Sequence, residues 1–176
     1  RQVEDATDDK RRAQMSRWLL RQANDVTFEK WQEMAFDTTL YWPMTELPRY
    51  QRRFESLQHT HPELASEVRP YLEHLLDWNY RSSLKSTQTT LAVEWYEELY
   101  GRGYPVETLK EEFVADIPAR FRALARAAKT LISRHGNWQV SYGDVHRLQR
   151  HAPYGSSSSV PFDLSLIHIS EPTRRR

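Results

Sequence analysis

The sequence of 176 residues contains no cysteine. This absence excludes a disulfide framework, a cysteine nucleophile and any zinc site built on thiolates. No apolar run approaches the roughly 18 residues that a membrane-spanning helix needs, so we expect no membrane partner. The chain begins without an initiator Met, so we expect it to be a fragment, in which a signal peptide cannot be sought.

The charge of the chain gives no reason to expect nucleic acid as a partner. Lys and Arg number 25 and Asp and Glu number 24, a net charge of +1. Three of the basic residues, Arg174 to Arg176, and one acidic residue, Glu171, lie in the C-terminal tail. Without that tail the acidic residues exceed the basic ones by one, so no basic surface is predicted.

Glycine is also scarce, with five in the chain, and long windows rich in Ala, Leu, Arg and Glu predict a mainly helical protein. We expect a loop at 156–159 and a turn at 77–83. The predicted helices lie around 15–22, at 28–39 after an N-cap at Thr27 and ended by Trp42-Pro43, at about 48–58, from 62 to 72–76, at 87–100 closed by Gly101, in a shorter run from Pro105, and at 119–133 stopped by Gly136.

The most distinctive stretch covers residues 136–150. Apolar residues alternate with polar ones from Trp138 onward, which predicts a half-buried strand near 137–142. A glycine ends the alternation, and Asp144 stands where an N-cap is expected for a short helix from Val145. We therefore expect Trp138 to be buried on the strand and Asp144 to cap the helix.

The aromatic-Gly-Asp-x-x-Arg element in this stretch resembles the late β-chain of the penicillin acylase family, which includes acylases acting on cyclic lipopeptides and acyl-homoserine lactones. The resemblance covers roughly residues 10–155 in the family's order. Asn79 departs from it, because the family has Asp there. The matching segments are Arg11-Arg12 before Trp18-Leu-Leu20, Val26 to Trp31, Phe36-Asp-Thr38, Tyr71 to Trp78 and Tyr142 to Arg147.

The resemblance implies an N-terminal nucleophile hydrolase with an αββα core. We therefore expect a mainly α fragment, the helical part of that fold, with the short strand near 137–142. Residues 1–163 would form a partial β-chain region of an acylase domain. Residues 164–176 are predicted to be a non-native tail, because 164–174 resemble the translation of a sequencing adapter. A natural strand from Leu164 to Ile169 is the alternative that the apolar alternation offers.

The family's reaction needs an N-terminal Ser whose amine acts as base, with a backbone amide and an Asn stabilising the oxyanion. These groups are not recognisable in this chain, so no catalytic residue is assigned. The resemblance implies a fragment, inactive alone, of an amidohydrolase that cleaves the acyl amide bond of a small acylated substrate, of the penicillin, acyl-homoserine lactone or lipopeptide type.

Two arginines are the candidate substrate-binding residues that the resemblance supplies. Arg12 matches the family's Arg if Leu19-Leu20 aligns with its Leu-Leu, and Arg11 matches if Trp18-Leu19 does. A guanidinium there can hold a substrate carboxylate or orient the oxyanion Asn by paired hydrogen bonds. The alternative is an exposed charge on a helix close to several acidic residues.

The expected partners are the missing α-chain, the N-terminal portion of the β-chain and the small acylated amide. No cofactor is expected in this fragment, although the family allows a structural calcium in an intact member, and the location would be periplasmic or secreted. No metal site is predicted, because His59 and His61 lack a third ligand at helical spacing. Among His135, His146 and His151, near the motif, one could act as a base, but none has a nucleophile or an orienting partner that the sequence identifies.

A second function remains open from the aromatic content alone. Six Trp and nine Tyr at helical spacing could present exposed aromatic faces, and exposed apolar patches mark interfaces. The alternative is therefore a free-standing helical module that binds another protein.

Overall fold

A computed structural model of the chain describes residues 11–101, 109–149 and 164–166, without the side chains of Arg12, 147–149 and 164–166. The described part is mainly helical, as predicted. No helix within these ranges is long and apolar enough to cross a membrane. The helices are α1 (Arg11–Gln22), α2 (Phe28–Ala35), α3 (Tyr41–Thr60), α4 (Pro62–Leu76), α5 (Thr87–Tyr100), α6 (Ile117–His135) and α7 (Tyr142–Val145), and the 3₁₀ turn is Glu111–Phe113.

Helices α5 and α6 begin and end within two residues of their predicted bounds. Ser86 precedes α5 and its hydroxyl oxygen accepts a first-turn backbone N–H at 3.0 Å, while Gly101 ends the helix with a φ of 97°. Asp116 precedes α6 and accepts a first-turn N–H at 2.8 Å, while Gly136 ends it in the left-handed conformation. A side-chain acceptor at one end and glycine at the other are local signals, so the sequence suffices to place these termini.

Helix α2 is shorter than predicted. Thr27 caps it as expected, but the helix ends at Ala35 and does not reach Thr39. The backbone N–H of Thr39 instead donates to Asp37 Oδ1 at 2.8 Å, and Thr39 forms an isolated antiparallel bridge with Arg81. This pairing with a distant segment ends the helix, because the bridge requires an extended backbone.

The prediction that Trp42-Pro43 ends a helix is wrong. Helix α3 begins at Tyr41 and continues through Pro48 to Thr60. Pro43 lies in the first turn, where a backbone N–H has no acceptor within the helix, so the missing donor costs nothing. Trp42 and Pro43 are both buried, so the first turn of α3 is part of the core.

The strand predicted near 137–142 is also wrong. Residues 137–141 form neither helix nor strand, and Tyr142 begins the four-residue helix α7. Alternation of apolar residues indicates a strand only where another strand can supply its hydrogen bonds, and no described strand pairs with this segment.

Two short strands pair elsewhere in the described residues. β1 (Arg147–Gln149) is antiparallel to β2 (Leu164–Leu166), with Arg147 opposite Leu166. β2 falls where the alternation of the C-terminal tail allows a natural strand, and the origin of that tail stays a prediction. The loop expected at 156–159 and residues 105–108, where a shorter helix is expected to begin, lie outside the described residues.

The core lies between α3, α4, α5 and α6. Trp95 is fully buried, and its indole N–H donates to the Arg120 carbonyl oxygen at 3.0 Å. The Tyr50 ring packs on Trp95 with centroids 4.6 Å apart, and Phe121 packs on Tyr50 at 5.7 Å. Each such side chain contributes about 1.5–3 kcal/mol on full burial, so these four helices hold one another in place.

Helix α2 contrasts with that core, because none of its residues is buried. Phe28 is 69% exposed and Trp31 is 53% exposed. We call the exposed large apolar residues of this region the α1–α2 apolar set. The set consists of Trp18, Leu20, Val26, Phe28, Trp31 and Phe36.

Candidate functional site

Arg11, one of the two predicted substrate-binding arginines, is the first residue of α1 and is partly buried. Its guanidinium carbon lies 4.7 Å from the centroid of the Tyr96 ring and 4.3 Å from that of Tyr100. Nη1 also donates a hydrogen bond to Tyr96 Oη. A cation over aromatic faces is attracted by their quadrupole, more strongly where water is excluded. Arg11 is therefore anchored against α5.

The aromatic support under Arg11 continues into the core. Tyr96 and Tyr100 stand four residues apart on α5, and their rings stack with centroids 4.5 Å apart. The Trp42 indole N–H donates to Tyr100 Oη at 3.3 Å, and the Trp42 ring meets Trp95 edge-on at 5.5 Å. Since Trp42 and Trp95 are buried, the position of Arg11 is coupled to a fixed part of the fold.

An apolar pocket of about 350 Å³ opens beside Arg11. Its walls come from α1, from the first residues of α3 and the segment before it, and from α5. Of the described residues that line it, Arg11 alone carries a charge. The lining comprises Arg11, Met15, Thr39, Leu40, Tyr41, Trp42, Pro43, Ala92, Val93 and Tyr96. Ligand sites are commonly of this kind, mostly apolar with a few polar groups that fix orientation.

Arg12, the other candidate, follows Arg11 in α1, but its side chain lies outside the described residues. The acidic residues that supported the alternative of an exposed helix charge lie among residues 4–9, also outside the described ranges. The choice between the two arginines therefore stays a prediction, and Arg11 is the one whose surroundings are visible.

A second, polar cavity of about 560 Å³ lies at the turn between α4 and α5, where Arg81 and Lys85 line it. Arg81 Nη2 donates to Asp37 Oδ2 at 2.8 Å. Burial disfavours the charged form of Asp37, but hydrogen bonds from Thr39 and the charge of Arg81 outweigh it and hold the pKa of Asp37 below its ordinary value. This ion pair fastens the segment after α2 to the turn, which is a structural role.

Within the part of the chain that the structure describes, the histidines near the motif form no catalytic group. The His146 ring lies 4.3 Å from that of Tyr142. Burial lowers the pKa of His146, against the opposing charges of Glu97 and Glu94. His135 is exposed, and His151 lies outside the described residues. Nothing described provides His146 with a nucleophile.

One histidine contact was not anticipated from the sequence. His74 Nε2 and Thr87 Oγ1 are 2.9 Å apart and join the end of α4 to the start of α5. Burial lowers the pKa of His74, and the charge of Asp77 opposes this. The residues stand 13 apart in the chain, with no motif around them, so no sequence signal pointed to the pair. The contact joins two helices. No described carboxylate forms a hydrogen bond with His74 that would orient it as a base.

The motif at 136–150 docks on the segment before α5. Tyr142 N–H donates to the Ser86 carbonyl oxygen at 3.1 Å and Gly143 N–H to that of Leu84 at 2.8 Å. Asp144 lies inside α7, so the prediction that it caps a helix from Val145 is wrong. The first N–H groups of α7 are occupied by another segment, which leaves them no need of a side-chain cap.

Trp138 is partly buried, although it lies on no strand. Its ring meets those of Tyr71 and His74 edge-on, with centroids 5.1 Å away in each case. Trp138 therefore anchors the segment after α6 against α4. The expected strand is absent here, and Trp138 is half-buried where a buried side chain was predicted.

His59 and His61 are both exposed, and the His61 ring hydrogen-bonds its neighbour Thr60 at Oγ1, 2.9 Å away. No group of three or more His, Cys, Asp or Glu within the described ranges could hold a metal ion. Among the described residues, Arg11 and the pocket beside it are thus the candidate functional site.

Comparison of the sequence with protein-family models gives a match to penicillin amidase over residues 1–173. No curated protein and no solved structure matches the chain.

Proposed function

The chain belongs to the penicillin amidase family, and from that premise we propose that it is part of an amidohydrolase that cleaves the acyl amide bond of a small acylated substrate. The family match, which spans residues 1–173, is the observation that supports the proposal. Penicillins, acyl-homoserine lactones and lipopeptides share the acyl amide group that such an enzyme attacks. The αββα core expected around the described helices belongs to the same proposal.

In this proposal the chain is inactive alone. The reaction requires a serine activated by its own amine and donors aimed at the oxyanion, and we assign these to the N-terminal part of the β-chain. The described helices then act as a scaffold around the reacting groups. A structural calcium in the intact enzyme and a periplasmic or secreted location complete the proposal.

Arg11 and Arg12 are the residues through which this chain would take part in the reaction. A guanidinium can hold a substrate carboxylate or orient the oxyanion Asn through paired hydrogen bonds. The position of Arg11 at an apolar pocket supports this role, because an acyl amide has an apolar part and a polar part. Its aromatic support would keep the guanidinium in one place.

The alternative function, a free-standing helical module that binds another protein, is supported by the α1–α2 apolar set. Monomeric soluble proteins rarely expose large contiguous apolar patches. In an amidohydrolase, the rest of the enzyme would cover the same residues. The exposed set is therefore compatible with both functions and does not discriminate between them. The two proposals differ in the sequence that flanks the chain in its gene.

The test is to recover that flanking sequence and to express the longer product. We expect a β-chain start with Ser upstream, and release of a chromophore from acyl anilides by the longer protein. The same protein with that Ser changed to Ala, and the 176-residue chain alone, should both remain at the level of a buffer blank. An initiator and a stop codon immediately flanking the chain would support the module, and hydrolysis by the chain alone would contradict the division of roles.

A further inference from the structure

The polar cavity at the turn between α4 and α5 is a second place where a ligand can bind. Its volume is about 560 Å³, well inside the roughly 300–1,000 Å³ range of ligand sites. The described residues that line it include four with hydroxyl groups, two with side-chain amides, three with charges and one tryptophan. The cavity therefore offers a ligand many hydrogen-bonding groups.

The cavity is preformed, because the backbone of the turn is held in place. Leu40 N–H donates to the Tyr80 carbonyl oxygen at 2.9 Å, and Ser82 N–H donates to that of Thr38 at 2.9 Å. Tyr80 has a φ of 61°, a left-handed conformation that persists only where neighbouring contacts hold it. The side chains of the turn therefore start from fixed positions, which lowers the entropic cost of binding a ligand.

Several polar groups in the cavity play no part in holding the turn. The Lys85 ammonium and the hydroxyl groups of Ser82 and Ser83 form no hydrogen bond or ion pair with any described residue. Asn79 Oδ1 accepts the Arg81 N–H at 3.0 Å, which leaves its Nδ2 as a donor. These groups line the cavity and are available to a ligand.

The charges around the cavity decide the class of ligand. Lys85 opposes a cation, while Asp77 opposes an anion, and Asp37 already offsets the charge of Arg81 at 2.8 Å. An apolar ligand would strip water from the hydroxyl and amide groups without replacing its hydrogen bonds. A neutral ligand with many hydroxyl groups can donate to Asp77 and accept from Lys85 and Asn79. We propose that this cavity binds a neutral saccharide.

Trp78 provides a fixed aromatic wall of the cavity. It is 7% exposed, and its indole N–H donates to the Arg81 carbonyl oxygen at 3.0 Å. Asn79, Ser83 and Lys85 are exposed at the rim, so the cavity is open and the terminal sugar of a longer glycan can enter it as well as a free sugar.

The saccharide site is distinct from the pocket beside Arg11 and does not rest on the proposed function. Thr38 lines the polar cavity, and the next residue, Thr39, lines the apolar pocket. Failure to bind any sugar would overturn the saccharide site alone, whereas failure of the longer protein to hydrolyse acyl anilides would overturn the proposed function alone.

The experiment titrates the ¹⁵N-labelled 176-residue chain with glucose, galactose, mannose and N-acetylglucosamine. The charged sugars glucuronate and glucosamine and inorganic phosphate are the comparison ligands. The Trp78 indole N–H is the reporter, because Trp78 lines the cavity, and the Trp138 indole, which packs on Tyr71 and His74, is the internal control. We expect at least one neutral sugar to shift the Trp78 resonance saturably, to leave Trp138 in place and to bind more tightly than each comparison ligand.

Two variants with matched controls locate the binding. Lys85→Met should weaken binding of the neutral sugar about threefold to tenfold, the effect of losing one hydrogen bond, and should improve the relative binding of glucosamine because a positive charge is removed. Ser83→Trp should fill the cavity and abolish binding. Lys30→Met and Ser56→Trp, at exposed positions on α2 and α3, should bind like the parent.

Four results would overturn the saccharide site. These are no saturable Trp78 shift with any of the four neutral sugars, equal shifts at Trp78 and Trp138, tighter binding of phosphate or glucuronate than of every neutral sugar, and unchanged binding in both Lys85→Met and Ser83→Trp. Lys85 and Ser83 are exposed, so neither substitution should prevent folding.

Discussion

Gly143 lies directly against Leu84. A Cβ added to Gly143 would stand 3.2 Å from the Leu84 Cβ and 3.2 Å from its carbonyl oxygen, and the Gly143 N–H donates to that oxygen at 2.8 Å. A backbone oxygen cannot turn away as the end of a side chain can. An alanine in the aromatic-Gly-Asp element would therefore press on the segment before α5, which would have to give by a few tenths of an ångström.

Gly143→Ala should destabilise the protein by about 1–3 kcal/mol, the usual cost of forcing extra volume into a packed contact. The measurement is the midpoint of urea unfolding at an unchanged slope, which isolates a change in stability. An unchanged midpoint would show that the segment before α5 moves freely away from α7.

Gly136→Ala is the matched control, because the two glycines are needed for different reasons. A Cβ on Gly136 would meet nothing within 4 Å, but the residue has a φ of 77°. We expect a loss of about 1–2 kcal/mol from the left-handed backbone alone. Gly136→Asn should lose less than Gly136→Ala, since Asn adopts this conformation more readily. Equal losses for Ala and Asn would contradict this explanation.

The stability of the protein should fall on mild acidification. Burial lowers the pKa of His74 below its ordinary 6.5, against the charge of Asp77, and the pKa of His146 is lowered in the same direction. Below pH 6.5 the unfolded chain therefore binds protons more readily than the folded one. The free energy of unfolding should be highest above pH 6.5 and decrease until the pH has fallen through the folded-state pKa values.

Urea unfolding at a series of pH values checks this, with His74→Gln as the comparison. The variant should show a shallower decrease between neutral pH and the folded-state pKa. Asp37 should add a separate loss at lower pH, because its pKa is lowered from 3.8 and its stabilising charge is lost as the pH falls through that lowered value. A free energy of unfolding that rises below pH 6.5 would refute the sign of the histidine effect.

The helix ends that are set by residues nearby in the sequence could be predicted from the sequence. Ser86, Asp116, Gly101 and Gly136 mark the ends of α5 and α6, because caps and positive-φ glycines act within a few residues. The start of α4 at Pro62 follows the same logic.

Features that depend on distant partners could not be predicted in this way. The early end of α2 results from the bridge between Thr39 and Arg81. Residues 137–141 form no strand because no described strand pairs with them, and the N–H groups of Tyr142 and Gly143 bind the carbonyl oxygens of residues 86 and 84. At the candidate site the sequence supplied Arg11 by resemblance. It gave no sign that Tyr96 and Tyr100 support that arginine, because they lie 85 and more residues away.

Asp116 offers a direct test of capping. Its carboxylate accepts the Ala119 N–H and also pairs with the exposed Arg122 at 2.9 Å. Asp116→Ala should lower the free energy of unfolding by about 0.5–2 kcal/mol, and Asp116→Asn by much less, because Asn caps about as well as Asp. An exposed ion pair adds little. If Asn proved as harmful as Ala, the ion pair and not the cap would be the stabilising contact.

The α1–α2 apolar set should contribute little to the stability of this chain. Phe28 and Trp31 are mostly exposed, so the double change Phe28→Ser and Trp31→Ser should alter the free energy of unfolding by no more than about 0.5 kcal/mol per site, as for other surface positions. It should also reduce the fluorescence of a dye that binds exposed apolar surface and slow aggregation on heating. Phe121→Ser, at a fully buried site, is the control and should unfold the protein. A large loss of stability from the double change would mean that α2 packs against the core in solution, and dye binding that stays the same would place the exposed apolar surface elsewhere.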